Sequence, residues 1–373
     1  MTNKNTLLIF VDGMQFNESQ RLDVVKNSDS GPVKPSIGFS NNIYPEMFCG
    51  KSPDDIGYFN EWAPNFEAEP SAINKLLKPF DFLRYFKYPN AIFRIIILKK
   101  LFNKFVGNIP FKYLHFFTAS GAHNFASFKD DSLLEANSFE IVDAALAKKS
   151  RSRLNQRDLI VAKEFLDKDL SNKNMLLSFM ELDNISHTCG MWSKEYEEHL
   201  AWLGETVAKV SEKYLSTNPN GNVFLFSDHG MAPVSGGAEI DLESQFGPMS
   251  NDSYLYFLDS TFLRVWCRDE MLLQDIERFL SNLDSGHIVG EQERKKYGVT
   301  NRAFGNLIFR AEEGLMFQPN FFGIRMVKAM HGYDSELESQ FAVFADLSGK
   351  QRDSTSLPKS SKEIYAFFRQ VLS

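Results

Sequence analysis

Cysteine is scarce in this 373-residue chain: Cys49, Cys189 and Cys267 are odd in number and far apart. That excludes a disulfide framework and a Cys-x-x-Cys pair, and it fits a reducing compartment. Long apolar runs are also missing. No window of about 18 apolar residues occurs, so a spanning helix is not expected. The opening apolar stretch, Leu7 to Val11, is shorter than a signal-peptide core and no small-residue cleavage pattern follows. These absences predict a cytoplasmic protein. Basic residues are outnumbered, with 41 Lys and Arg against 48 Asp and Glu and a net charge of -7, which excludes general nucleic-acid binding. Histidine is limited to seven residues.

What is present is ordinary for a globular chain: 43% apolar and 24% charged residues. At ~100–200 residues per domain, the length predicts one large domain or two modest ones. Three short apolar runs each end at an acidic residue: Thr6 to Val11 before Asp12, Asn174 to Leu182 before Asp183, and Asn222 to Phe226 before Ser227-Asp228. A helical pattern, Ser193 to Leu215, lies between the last two. Buried strands alternating with helices predict an α/β fold, a three-layer α/β/α sandwich with a mostly parallel central sheet. Ligands bind such sheets beyond the carboxyl ends of the strands, where these acids fall. Near the end, Phe341 to Ala345 reads as a strand, and Ser360 with Glu363 as a capping box opening a last helix.

Inserted cap regions interrupt the core. The pattern predicts core at 1–74, an aromatic and basic helical cap at 75–150, core at 151–249, a small α+β cap at 250–325 and core at 326–373. The second cap reads as strand, helix and strand over Tyr254 to Trp266, Glu270 to Leu283 and Asn306 to Phe309. Lys75 to Phe117 holds nine basic residues, one acid (Asp81) and twelve aromatics, a net +8 that leaves -15 on the rest. Within Ala91 to Val106, Lys99, Lys100, Asn103 and Lys104 share one helical face. Three readings stand for this segment: a lid on the catalytic core, an interfacial segment for anionic membrane or a lipid-linked substrate, or a platform for base stacking.

The titratable motifs are Asp183-x-x-x-His187, Asp228-His229 and His331 before Gly332-Tyr333-Asp334. Carboxylate and imidazole suit zinc, and a partly open site is catalytic. Taken singly, each motif also reads as a surface pair or a satisfied histidine.

Jointly, Phe10-Val11-Asp12-Gly13, Ser40 to Gly57, Asp183-x-x-x-His187, Ser227-Asp228-His229-Gly230-Met231 and His331-Gly332-Tyr333-Asp334 resemble the alkaline phosphatase superfamily. The resemblance is to its type I phosphodiesterase / nucleotide pyrophosphatase branch. It implies two zinc ions, with manganese as the alternative. Asp183, His187 and His331 would hold one; Asp12, Asp228 and His229 the other, completed by the nucleophile. Counting back from Gly50 and Gly57 places that nucleophile at Ser40, with Ser36 as the fallback. The branch's Thr-Phe-Pro-Asn-His run is replaced here by Ser-Asn-Asn-Ile-Tyr. Its phosphate-binding Asn is matched by Asn60, one position from Glu61 at the aligned place, with Asn41 or Asn42 as alternatives. His115, His123, His199 and His287 fit no motif and read as structural or surface residues.

A free serine hydroxyl is a weak nucleophile, and metal coordination activates it. A helix beginning at Ser40 would aim backbone N–H groups at phosphate. The resemblance thus implies a hydrolase of phosphodiester or pyrophosphate bonds acting through a phospho- or nucleotidyl-serine. Its substrate would be a nucleotide, a nucleotide-sugar or a lipid-linked phosphate. The other readings are a phosphomonoesterase of the same superfamily and a non-catalytic metal-binding or membrane-associated scaffold. A sulfatase is disfavoured because no Ser-x-Pro-x-Arg context surrounds Ser40. Peripheral contact with the inner membrane face through residues 75–117 completes the expectation.

Overall fold

Alternation of the apolar side chains in the first strand sets up the layers. The computed structural model of the chain describes residues 5–70, 72–94, 107–119, 132–143, 156–323, 325–350 and 356–373. They divide into two units: Met1–Ser52, His123–Pro233 and Val327–Ser373 form the first, Pro53–Ala122 and Val234–Met326 the second.

The first unit is built on six strands: β1 (Thr6–Val11), β2 (Asp29–Val33), β3 (Glu140–Val142), β4 (Met175–Phe179), β5 (Asn222–Phe226) and β6 (Ala342–Asp346), ordered β2-β6-β5-β1-β4-β3. β1 runs parallel to β4 and β5, and β3 parallel to β4; β6 is antiparallel to β5 and β2. Leu7, Ile9 and Val11 point to one face, where they join Val161 and Phe165 of α2 (Arg157–Asp167), Leu182 and Ile185 of α3 (Glu181–Cys189), and Leu203 and Val207 of α4 (Lys194–Thr217). Leu8 and Phe10 point to the other, against Ile43 and Met47 of α1 (Ser40–Cys49) and Phe367 and Phe368 of α5 (Ser361–Leu372). The period-two pleat thus feeds two apolar cores, and the three-layer α/β/α sandwich with a mostly parallel sheet is the observed fold. Ser193 caps α4 through its side chain, which accepts from the Tyr196 N–H. The expected capping box at α5 is altered: Glu363 accepts from the Lys359 N–H at 2.8 Å, and Ser360 makes no side-chain cap bond.

The second unit carries an antiparallel sheet in the order Tyr254–Leu258, Phe262–Cys267, Leu307–Ala311, Gly286–Ile288, with the helix Glu270–Ser281. The stretch read as one strand over Tyr254 to Trp266 is a hairpin. Asp259 turns the chain: its carboxylate accepts from the Ser260 N–H at 2.7 Å, while its own N–H donates to the Phe262 carbonyl. Residues 53–74 and 234–249, grouped with the core in the sequence pattern, fall in this unit, whereas β3 of the 75–150 segment is an edge strand of the first. Strand pairing, which composition does not report, draws these lines. Of the helix expected over Ala91 to Val106, the part beyond Arg94 lies outside the described residues. No helix among the described residues is long and apolar enough to cross a membrane, and all three cysteines are free.

Candidate active site

Parallel register brings the acidic residues to one edge of the sheet of the first unit. Val11 lies opposite Phe179 and Phe10 opposite Phe226, so Asp12 and Asp228 leave neighbouring strands at the same end. Asp183 sits in the first turn of α3, and His187 follows one turn later on the same face. His331 arrives from far along the chain. The short pairing of Ala329–Met330 with Ala232–Pro233 sets it beside the loop that carries His229. Gly13 is required here: its φ is +70°, and a Cβ would meet the Cβ of Asp183 at 3.0 Å. Its N–H donates to Asp228 Oδ1 at 3.3 Å.

Two groups result. The ligand atoms of Asp183, His187 and His331, and separately those of Asp12, Asp228 and His229, lie within 4.8 Å of one another. The imidazoles of His229 and His331 stack with centroids 3.7 Å apart. Ser40, the first residue of α1, places Oγ 3.0 Å from His229 Nε2 and 3.5 Å from Asp12 Oδ1. His229 Nδ1 donates to the Gly230 carbonyl and His187 Nδ1 to the Ala329 carbonyl, at 2.8 and 2.7 Å. A carbonyl only accepts, so the proton of each neutral ring is on Nδ1 and the Nε2 lone pair is left for a ligand.

The electrostatics fit a divalent cation. Burial first, and then the carboxylates of Asp228 and Asp183, push Asp12 well above the usual carboxylate range. Burial likewise raises the nearby Tyr44 phenol, with Asp12 adding to it. Burial opposes ionisation of Asp183 too, but the imidazoles of His187, His331 and His229 outweigh it and hold Asp183 low. His187 is raised against its burial by Asp183, and His331 is lowered by burial and by His229. Asp183 Oδ1 and Asp228 Oδ2 are buried and accept no hydrogen bond. Converging carboxylates with unbonded oxygens, beside lone pairs fixed on Nε2, are a donor set suited to a metal ion.

The family model of type I phosphodiesterase / nucleotide pyrophosphatase matches residues 125–304. Over these residues, just under half of the chain, the sequence is similar to the type I phosphodiesterase / nucleotide pyrophosphatase family. That similarity supports a hydrolase. Two solved structures share the phosphodiesterase fold: human ectonucleotide pyrophosphatase / phosphodiesterase 5, at 12% identity and TM-score 0.64, and a murine form at 14% and 0.60. A third, an inactive variant of the murine protein in complex with AMP, aligns at 14% identity and TM-score 0.59. Each alignment covers 99% of this chain and 95% of the other. No curated protein matches the sequence. The segment matched by the family model contains Asp183, His187, Asp228 and His229; folding adds Asp12, Ser40 and His331.

The other residues singled out in the sequence are placed as follows. Asn41 is half-buried in the first turn of α1. The buried Asn42 amide donates to the Ile37 carbonyl at 3.4 Å. Asn60 lies in the second unit and donates to Asp259 at 2.8 Å. Ser36 donates to Glu46 at 3.0 Å. His115 lies against the ring of Phe116, and His287 contacts Arg310; His123 lies outside the described residues. Gln340 escaped the sequence reading. It is buried, and its side-chain oxygen accepts from the N–H groups of Gly332 and Tyr333, holding the turn after His331. His199, read as structural, belongs to a third buried group with Asp158 and Glu181. Asp158 accepts from the N–H groups of Met180 and Glu181 at the start of α3, and Glu181 accepts from those of Arg157 and Asp158 at the start of α2. His199 Nε2 lies 3.2 Å from Asp158. The two carboxylates cap each other's helices, which positions the helix bearing Asp183 and His187.

Proposed function

We propose that the protein hydrolyses phosphodiester or pyrophosphate bonds of a nucleotide-type substrate, with Ser40 as nucleophile. The observation that carries this reading is the Ser40 hydroxyl at the start of α1, within reach of Asp12 and His229. Asp183, His187 and His331 would hold one zinc ion, and Asp12, Asp228 and His229 the other. When bound, such ions lower the pKa of a coordinated hydroxyl and neutralise charge on the phosphoryl oxygens.

The residues of this chain do the rest. Gly13 lets Asp12 and Asp183 pack closely, and Gln340 fixes the turn beside His331. Ser40 gives up its hydroxyl proton to solvent and forms an Oγ–P bond, while the bond to the leaving oxygen breaks. The first N–H groups of α1 face the phosphoryl oxygens. Water then breaks the Oγ–P bond and returns the hydroxyl proton, releasing the phosphate ester. Asn41, next to Ser40 in the first turn of α1, would orient a phosphoryl oxygen. The AMP complex of the murine neighbour supports a nucleoside monophosphate as the group transferred. A nucleotide-sugar or a lipid-linked phosphate presents the same bond.

The test compares bis-p-nitrophenyl phosphate with p-nitrophenyl phosphate on zinc-loaded protein, before and after chelation. Faster turnover of the diester, lost on chelation and restored by zinc, is expected. Preference for the monoester would move the protein to the phosphomonoesterase reading, and activity indifferent to chelation would overturn the metal assignment.

A further inference from the structure

The stretch 72–94 of the second unit displays residues that soluble proteins bury. Leu76 is 68% exposed, Phe82 56%, Phe86 53% and Ile92 58%, and Phe80 and Tyr88 are exposed as well. Scattered apolar residues on a surface need no explanation, but six within one short stretch do. The remaining exposed large apolar side chains among the described residues are spread from Leu159 to Met326. The rings of Phe82 and Phe86 meet edge-on, 6.4 Å between centroids.

Along the stretch itself all the charged residues but one are basic. Lys75 and Lys78 are exposed, and Arg84 and Lys87 follow in sequence. The one acid, Asp81, is engaged internally, accepting from the N–H groups of Phe111 and Lys112. Arg94 is engaged too: it is buried, donates to Asn90 and to the carbonyls of Gly107 and Ile109, and lies over the Phe111 ring. Phe93 packs between Phe80 and Phe111. These inner contacts anchor the stretch, while Leu76, Phe82, Phe86, Ile92, Lys75 and Lys78 are left outward.

We propose that residues 75–92 dock the protein on an anionic phospholipid surface. Leu76, Phe82, Phe86 and Ile92 would enter the boundary between headgroups and acyl chains, and Lys75 and Lys78 would face the lipid phosphates. Lysine is depleted from protein–protein interfaces, and an anionic bilayer is the complement of an apolar stretch that also exposes Lys75 and Lys78. The inference is independent of the reaction assigned to the first unit.

Sedimentation of the full chain with vesicles tests it. Binding is expected to vesicles with about 30% phosphatidylserine and not to phosphatidylcholine alone. Raising salt from about 0.05 to 0.5 M should release it. Lys75→Gln with Lys78→Gln should weaken binding about 25-fold, at about fivefold per lysine. Phe82→Ser, Phe86→Ser and Ile92→Ser together should abolish it, with thermal unfolding of both variants unchanged. No binding to anionic vesicles at low salt would overturn the proposal. So would binding that survives either set of substitutions. Self-association of the chain that the serine substitutions remove, without vesicle binding, would assign the patch to a second copy instead.

Discussion

Three groups of buried or half-buried carboxylate and imidazole lie in the first unit, each with its ligand atoms within 4.8 Å, and they differ in what their oxygens already hold. Around Ser40, Asp183 Oδ1 and Asp228 Oδ2 accept no hydrogen bond. In the group of Asp158, Glu181 and His199, all four carboxylate oxygens accept backbone N–H groups. Composition and spacing therefore do not separate a metal centre from a structural lock, whereas hydrogen-bond accounting does. A carboxylate committed to helix N-termini has little left for an ion, and one buried without a donor needs a cation.

The contrast can be broken by mutation. Ser40→Ala should lower hydrolysis at least about 10³-fold while bound zinc, read by elemental analysis, stays at the wild-type level. Normal turnover would shift the nucleophile to Ser36 or to water. Asp228→Asn should lose zinc and lower activity by more than the roughly 10–100-fold of an outer-shell change. Asp158→Asn should keep its zinc; loss of metal there would mean that the third group binds an ion after all. Asp158→Ala should cost about 3 kcal/mol by urea denaturation, since it leaves two helix N–H groups and His199 without their partner.

The smallest effect marks the exposed end of the scale. Glu140 is held below its ordinary pKa by Lys168, which donates to its carboxylate, and further by Lys173. A depressed carboxylate stabilises the fold above its unfolded pKa, and that stability is lost as pH falls through the lower folded value. Glu140→Gln should thus cost about 0.5 kcal/mol or less at neutral pH, because the pair is partly solvated, and nothing in acid well below the ordinary glutamate value of 4.5. A larger loss at neutral pH would show that β3 depends on this pairing.

Much of the site was legible in the chain because local chemistry wrote it. Apolar runs ending at Asp12, Asp183 and Asp228 are what buried parallel strands look like, and Asp183-x-x-x-His187 is the spacing of one helical turn. Gly13 was legible as part of the motif that ends the first strand, but its close approach to Asp183 was not. Gln340, Asp158 and Glu181 gave no signal, because an amide or a carboxylate that caps a distant backbone has the same sequence context as one facing water. The hairpin at Asp259 was hidden in a long apolar run, where a two-sided burial pattern masks a reversal.

By itself, then, the sequence determined the strand cores, the pleat that feeds two apolar layers, and the residue types able to hold a metal. Those follow from side-chain chemistry and from periodicities of two and 3.6 residues. Tertiary structure alone decided that His331 stacks on His229, that Ser40 and not Ser36 meets them, and which of three similar clusters keeps unbonded oxygens. These are matters of which distant backbone groups arrive at a given side chain, and only chain closure in three dimensions settles them.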